Sequence, residues 1–142
     1  MKKIMIINGA NMNLLGLREK EFYGDFSYNE LEKNLVLFAK ERDIDLTFFQ
    51  SNIEGEIINK IHEMVLSKDY DGLIINPGAY SHYSLAIYDA LKILKLPKIE
   101  VHFSNINARE NIRKEMLTAG VCDGVIVGLG INSYKLAINY FM

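Results

Sequence analysis

An α/β fold built on a doubly wound, five-stranded parallel sheet is predicted by three observations. Short apolar runs rich in β-branched residues stand at residues 4–7, 46–49, 72–75, 99–103 and 124–127. Each is the length of a strand buried on both faces. Between them lie stretches with helical spacing, so strand and helix alternate along the chain, and alternation calls for right-handed βαβ crossovers with helices on both faces of the sheet. The chain has 142 residues, which is one domain at roughly 100–200 residues per domain. Five such units in this length give the flavodoxin-like layout, with residues 1–142 as a single catalytic-sized unit.

The elements follow in order. After the first strand comes Asn8-Gly9-Ala10-Asn11-Met12-Asn13, and the next helix is expected only from about Tyr28. A connection of about 20 residues exceeds the usual two to six, so a functional lid is expected at about 16–27. Leu31, Leu35 and Phe38 mark the first long helix; Ile57, Ile61, Met64 and Val65 the second; Leu85, Tyr88 and Leu91 the third. A charged stretch at residues 108–117 is expected to supply the fourth, and residues 134–141 the last.

Composition narrows the function. Sixteen Lys+Arg against eighteen Asp+Glu leave a net charge of -2, without the basic footprint that nucleic acid or an anionic membrane surface requires. No apolar stretch approaches the ~18 residues of a membrane helix. One cysteine, Cys122, cannot form an internal disulfide, and no Cys/His cluster has zinc-site spacing, so a reducing cytoplasm and no metal are expected. No Gly-x-Gly-x-x-Gly follows strand one and no Gly-x-x-x-x-Gly-Lys occurs, so no nucleotide cofactor is expected. Gly128-Leu129-Gly130 is only a fragment of such a fingerprint, with Ser133 at the third glycine position. A phospho-receiver would need acidic residues where Asn8 and Asn76 stand.

In this layout a ligand sits beyond the C-terminal strand ends, near the switch point between strands one and three. Three segments converge there. Arg18 and Tyr23 share the long loop, and a guanidinium near a phenol favours phenolate, a usable general base. Glu100 and His102 are two apart on a strand and project from one face, so the carboxylate can orient the imidazole as a general acid. His82, in the loop after strand three, can bond a hydroxylated ligand. Asn8, Asn11, Asn13 and Asn76 add neutral donors suited to hydroxyl or enolate oxygens, and each also suits a turn. The run from Ala108 to Arg113 reads by itself as a solvated helix face.

Residues 8–24 resemble the opening motif of the type II 3-dehydroquinate dehydratases. So do residues 75–84, then Ile99-Glu100-Val101-His102-Phe103-Ser104-Asn105, Ala108-Arg109-Glu110 with Arg113, and residues 124–130. Five segments match in the family's order and spacing. The resemblance implies a flavodoxin-like subunit, assembled as trimers into a dodecamer, that dehydrates 3-dehydroquinate without cofactor or metal in the shikimate pathway.

Carried over by position, Tyr23 would be the base and Arg18 its cationic partner, with Asn11 stabilising the enolate through a bound water. His102, oriented by Glu100, would protonate the departing hydroxyl. Asn76, His82 and Arg113 would hold ring hydroxyls, Phe103 and Ser104 the carboxylate, and Asp89 would complete the site across a trimer contact. The helix bearing Asp89, with Leu85, Ile87, Tyr88 and Leu91, is apolar over more than one stripe, which fits that contact. The chain departs from the family pattern at Ala10 and Lys20, where proline is usual, and at Tyr83, Tyr88, Met116 and Ser133. Two alternatives of other kinds are a binding protein on the same fold with impaired catalysis, whose signature would be loss of Tyr23, Arg18 or His102, and a quinate-catabolic dehydratase with the same chemistry.

Overall fold

A computed structural model of the chain describes residues 1–23 and 26–142. The strands are β1 (Lys2–Asn8), β2 (Ile44–Gln50), β3 (Gly72–Asn76), β4 (Lys98–His102) and β5 (Gly124–Val127). The helices are α1 (Lys20–Tyr23), α2 (Tyr28–Lys40), α3 (Glu54–Ser67), α4 (Leu85–Ile93) and α5 (Ile131–Tyr140). All strand pairs are parallel in the order β2-β1-β3-β4-β5. The chain therefore reverses its winding between β1 and β3, the expected flavodoxin-like switch point.

Period-two alternation divides β1 between two cores. Ile4 and Ile6 pack on one face with Leu31 and Leu35 of α2 and with Ala137 and Ile138 of α5. Met5 and Ile7 pack on the other with Ile57 and Ile61 of α3 and Ile87 and Leu91 of α4. Each of these side chains except the small Ala137, being almost wholly buried, contributes about 1.5–3 kcal/mol relative to exposure. Helix α2 begins where expected because Ser27 and Glu30 form a reciprocal capping box: the Ser27 hydroxyl accepts from the Glu30 amide at 3.1 Å, and the Glu30 carboxylate accepts from the Ser27 amide at 3.4 Å.

Three expectations are corrected. Strands β2 and β5 are the sheet's edges and are only partly covered, so the five runs are not equally buried. Residues 108–117 form no α-helix; the β4–β5 crossover is made of 3-10 turns at Ile106–Ala108, Asn111–Lys114 and Thr118–Val121. The physical reason is the lack of an apolar stripe: Ile112 is 76% exposed and buries nothing that would stabilise a helix. The last helix starts at Ile131, immediately after Gly130 in a positive-φ conformation, and not at Tyr134. The lid expected at about 16–27 includes Gly24 and Asp25, which lie outside the described residues. Of the rest of that segment, one turn runs through Met12–Leu17 and α1 follows it. Among the described residues, no helix is long and apolar enough to cross a membrane.

Candidate active site

At the switch point, backbone meets backbone. A Cβ on Gly9 would fall 2.2 Å from the Pro77 carbonyl oxygen, so only glycine lets the loop after β1 lie against the loop after β3. The Gly9 amide donates to the Asn76 carbonyl at 2.7 Å and closes this approach. Asn8 and Asn76 face each other in the β1–β3 register. Tyr134 of α5 ties them together: its hydroxyl donates to Asn8 Oδ1 at 2.5 Å and accepts from Asn76 Nδ2 at 2.9 Å. Burial pushes the Tyr134 phenol above its ordinary value, so it stays a neutral link.

Above this floor lies one cavity, lined by Asn11, Arg18, Tyr23, Asn76, His82, His102, Phe103, Ser104 and Arg113, together with Arg109. Nine of the thirteen residues singled out from the sequence are thus brought together. Glu100 stands directly behind His102. Asp89 is exposed on α4 and does not line the cavity of its own chain. Asn8 is fully buried beneath the floor, and Asn13 is exposed outside the cavity.

Tyr23 is buried, with its ring stacked on Phe103 at 6.3 Å between centroids. Its hydroxyl accepts from Arg18 Nη2 at 2.6 Å, and the Arg18 guanidinium also lies 3.7 Å from the ring centroid. Burial draws the Arg18 guanidinium below its ordinary value, while the attraction of Tyr23 acts the other way. A second cation was not anticipated as part of the site. Arg109 Nη1 donates to the same Tyr23 hydroxyl and to Ser104 Oγ, the latter at 3.3 Å. The Arg109 side chain is 5% exposed, and its Nε is buried with no hydrogen-bond partner among the described residues. Two guanidinium groups on one oxygen can stabilise negative charge there. The signal available in the sequence was position: Arg109 follows the C-terminal end of β4, where ligands bind in this fold.

On the β4 side, Glu100 is fully buried and accepts from His102 Nε2 at 2.6 Å. This bond leaves Nδ1 as the ring nitrogen available to a bound molecule. The His82 ring stacks at 6.1 Å from that of His102. His82 Nδ1 donates to the Glu115 carbonyl at 2.6 Å, and burial draws its imidazole below the ordinary value. A neutral His82 therefore offers Nε2 as an acceptor. Arg113 is held by Glu110 at 2.6 Å. Asn11 adopts a left-handed conformation, φ 71°, fixed by its amide donating to Asn52 Oδ1 at 2.8 Å.

The positions where the chain departs from the family pattern spare the cavity, with Ala10 alone among its lining. Tyr83 is 64% exposed and packs on Tyr80, outside the cavity. Ser133 is fully buried, accepting from the Leu129 amide and donating to the His102 carbonyl. Gly128 has φ 90°, and a Cβ there would lie 2.9 Å from Asn105 Cβ, so this loop serves close packing against the end of β4. Among the described residues, no group of three or more His, Cys, Asp or Glu is placed to hold a metal ion.

A family model described as dehydroquinase class II matches residues 2–142. A 3-dehydroquinate dehydratase from Thermotoga petrophila is 50% identical over 138 residues, covering 97% of this chain and 93% of that one. Another, from Caldicellulosiruptor saccharolyticus, is 54% identical over 138 residues, with coverage of 97% and 94%. The crystal structure of a type II dehydroquinase from Butyrivibrio crossotus matches with a TM-score of 0.94 at 47% identity, covering 98% of this chain and 96% of that one. With a family model matched over nearly its whole length, relatives at half identity and the same fold, the chain belongs to the class II dehydroquinase family.

Proposed function

We infer that this chain is a 3-dehydroquinate dehydratase, converting 3-dehydroquinate to 3-dehydroshikimate and water in the shikimate pathway. The observation that carries the reading is one cavity holding both a tyrosine oxygen bonded by two guanidinium groups and a histidine bonded by a buried carboxylate. Such a cavity contains a base and an acid for elimination.

Tyr23, as phenolate, removes the proton from the carbon next to the ketone, and the electron pair moves onto the ketone oxygen as an enolate. Asn11 stabilises that oxygen through a bound water. Collapse of the enolate forms the carbon–carbon double bond and breaks the bond to the hydroxyl, which takes a proton from His102 and leaves as water. Tyr23 returns its proton to solvent and His102 regains one, so the net change is loss of one water. Glu100 orients His102 throughout. Asn76, His82 and Arg113 hold the ring hydroxyls, and Phe103 with Ser104 takes the substrate carboxylate. The chemistry requires no metal or cofactor.

The site is completed by Asp89 of a neighbouring subunit, in a trimer from which a dodecamer is built, acting in the cytoplasm. Two observations support a contact on α4. Leu85 and Ile93 are 59% and 53% exposed, while Ile87, Ala90 and Leu91 of the same helix fill the core. The test of the function is the appearance of the conjugated product in the ultraviolet, with 3-dehydroquinate as the only addition, before and after exhaustive chelation. Full activity in both is expected; no product, or a requirement for added metal, overturns the reading.

A further inference from the structure

Glu100 presents an electrostatic problem that His102 alone does not solve. Its side chain is fully buried, and a buried carboxylate is costly unless its oxygens are bonded. His102 satisfies one site on Oε2. Ser81 Oγ donates to the same oxygen at 2.7 Å, and Thr118 Oγ1 donates to Oε1 at 2.5 Å. Both hydroxyl residues are themselves fully buried, and neither lines the cavity.

The two hydroxyls come from different crossovers. Ser81 lies in the turn Gly78–His82 after β3, and Thr118 opens the turn Thr118–Val121 before β5. These turns are joined directly, since the Leu117 amide donates to the Ser81 carbonyl at 2.7 Å. A carboxylate held on both oxygens by two crosslinked turns cannot rotate about its last bond, so the direction in which it holds the His102 ring is set from outside β4.

We propose that Ser81 and Thr118 are positioning residues for the acid step: they lock the Glu100 carboxylate, and through it aim His102 Nδ1 at the departing hydroxyl. This rests on the functional reading above, in which proton removal by Tyr23 precedes acid-assisted loss of the hydroxyl. Loss of either hydroxyl therefore weakens one half of the reaction selectively.

The experiment compares Thr118→Val, which keeps the side-chain shape, with Thr118→Ser, which keeps the hydroxyl, and with Ser81→Ala. Two rates are read on 3-dehydroquinate: exchange of the α-proton with deuterated solvent, and product formation. In Thr118→Val and Ser81→Ala, product formation should fall about 10- to 100-fold, a part of the ~10²–10⁴ that a general acid supplies, while exchange changes less than about twofold. Thr118→Ser should restore the wild-type ratio. An equal fall of both rates, as general loss of packing would give, overturns the proposal, as does an unchanged ratio in Ser81→Ala and Thr118→Val.

A second readout needs no turnover. The low-field proton resonance of His102 Nε2–H bonded to Glu100 should be retained in Thr118→Ser and broadened or lost in Thr118→Val and Ser81→Ala. Its persistence in those two overturns the proposal. The functional reading fails separately, if the wild-type protein forms no product from 3-dehydroquinate, and the resonance then still decides the positioning role.

Discussion

Arg109 donates to the hydroxyl of Tyr23 across 86 residues of chain. The same oxygen accepts from Arg18, five residues away in the neighbouring turn, so two cations of unrelated origin converge on one phenol. Residues in a surface run do not ordinarily meet a buried tyrosine. Here the 3-10 turns after β4 fold the Arg109 side chain under α1, within 4.5 Å of the Phe22 ring centroid.

Arg109→Lys should therefore behave as a loss. A lysine ammonium lacks the planar guanidinium face that Arg109 lays over the Phe22 and Tyr23 rings, 4.5 and 5.4 Å from their centroids, and its compact, strongly hydrated charge does not replace that seat beside the Tyr23 hydroxyl. We expect kcat/KM to fall at least tenfold, as loss of a charge-assisted bond of about 1.5–3 kcal/mol implies, with circular dichroism unchanged. Activity within twofold of wild type would show that Arg18 alone suffices.

Tyr23→Phe removes the oxygen and little volume. Expected is a fall in kcat of about 10²–10⁴, the range of general-base catalysis, with the fold intact. Near-normal turnover by steady-state kinetics would leave the reaction without its base.

His82 titrates with a defined sign. Burial holds its imidazole below the ordinary value in the fold, whereas the unfolded chain returns it to about 6.5. The stability that neutral His82 allows is present above pH 6.5 and is lost as pH falls through the lowered folded value, because the unfolded chain binds the proton first. Denaturant unfolding between pH 7 and pH 5 should show a smaller loss in His82→Gln than in wild type. Equal slopes would contradict the assignment.

Cys122 is the counterpart at high pH. Burial pushes its thiol up to about 12 from an ordinary 9.0. Its contribution to stability is full below pH 9 and is lost as pH rises toward 12, since the unfolded chain ionises first. Iodoacetamide at pH 8 should modify the native protein far more slowly than the unfolded chain, as read by mass spectrometry. Equal rates would mean that the thiol is not held protonated.

Assembly is tested by light scattering in dilute denaturant, read alongside activity. A trimer-based particle is expected, with activity falling as it dissociates, because Asp89 is exposed on its own chain and does not line the site cavity there. A fully active monomer would show that each site is self-contained.

Most of the fold was legible because β1 and β3 are buried on both faces and leave an unbroken apolar run in the sequence, whereas β4, equally buried, alternates Ile99 and Val101 with Glu100 and His102. The nearness of Tyr23 to Arg18 and of Glu100 to His102 was legible too, since five residues of a turn or two of a strand fix those distances locally. Tertiary structure alone decided the rest. Whether the stretch after β4 becomes helix or turns depends on which neighbours cover it, and Ile112 finds none. Arg109, Ser81 and Thr118 reach the site only because separate crossovers close on the ends of β3 and β4. Chain separation carries no information about such contacts, whose energy exists only once the sheet has brought the loops together.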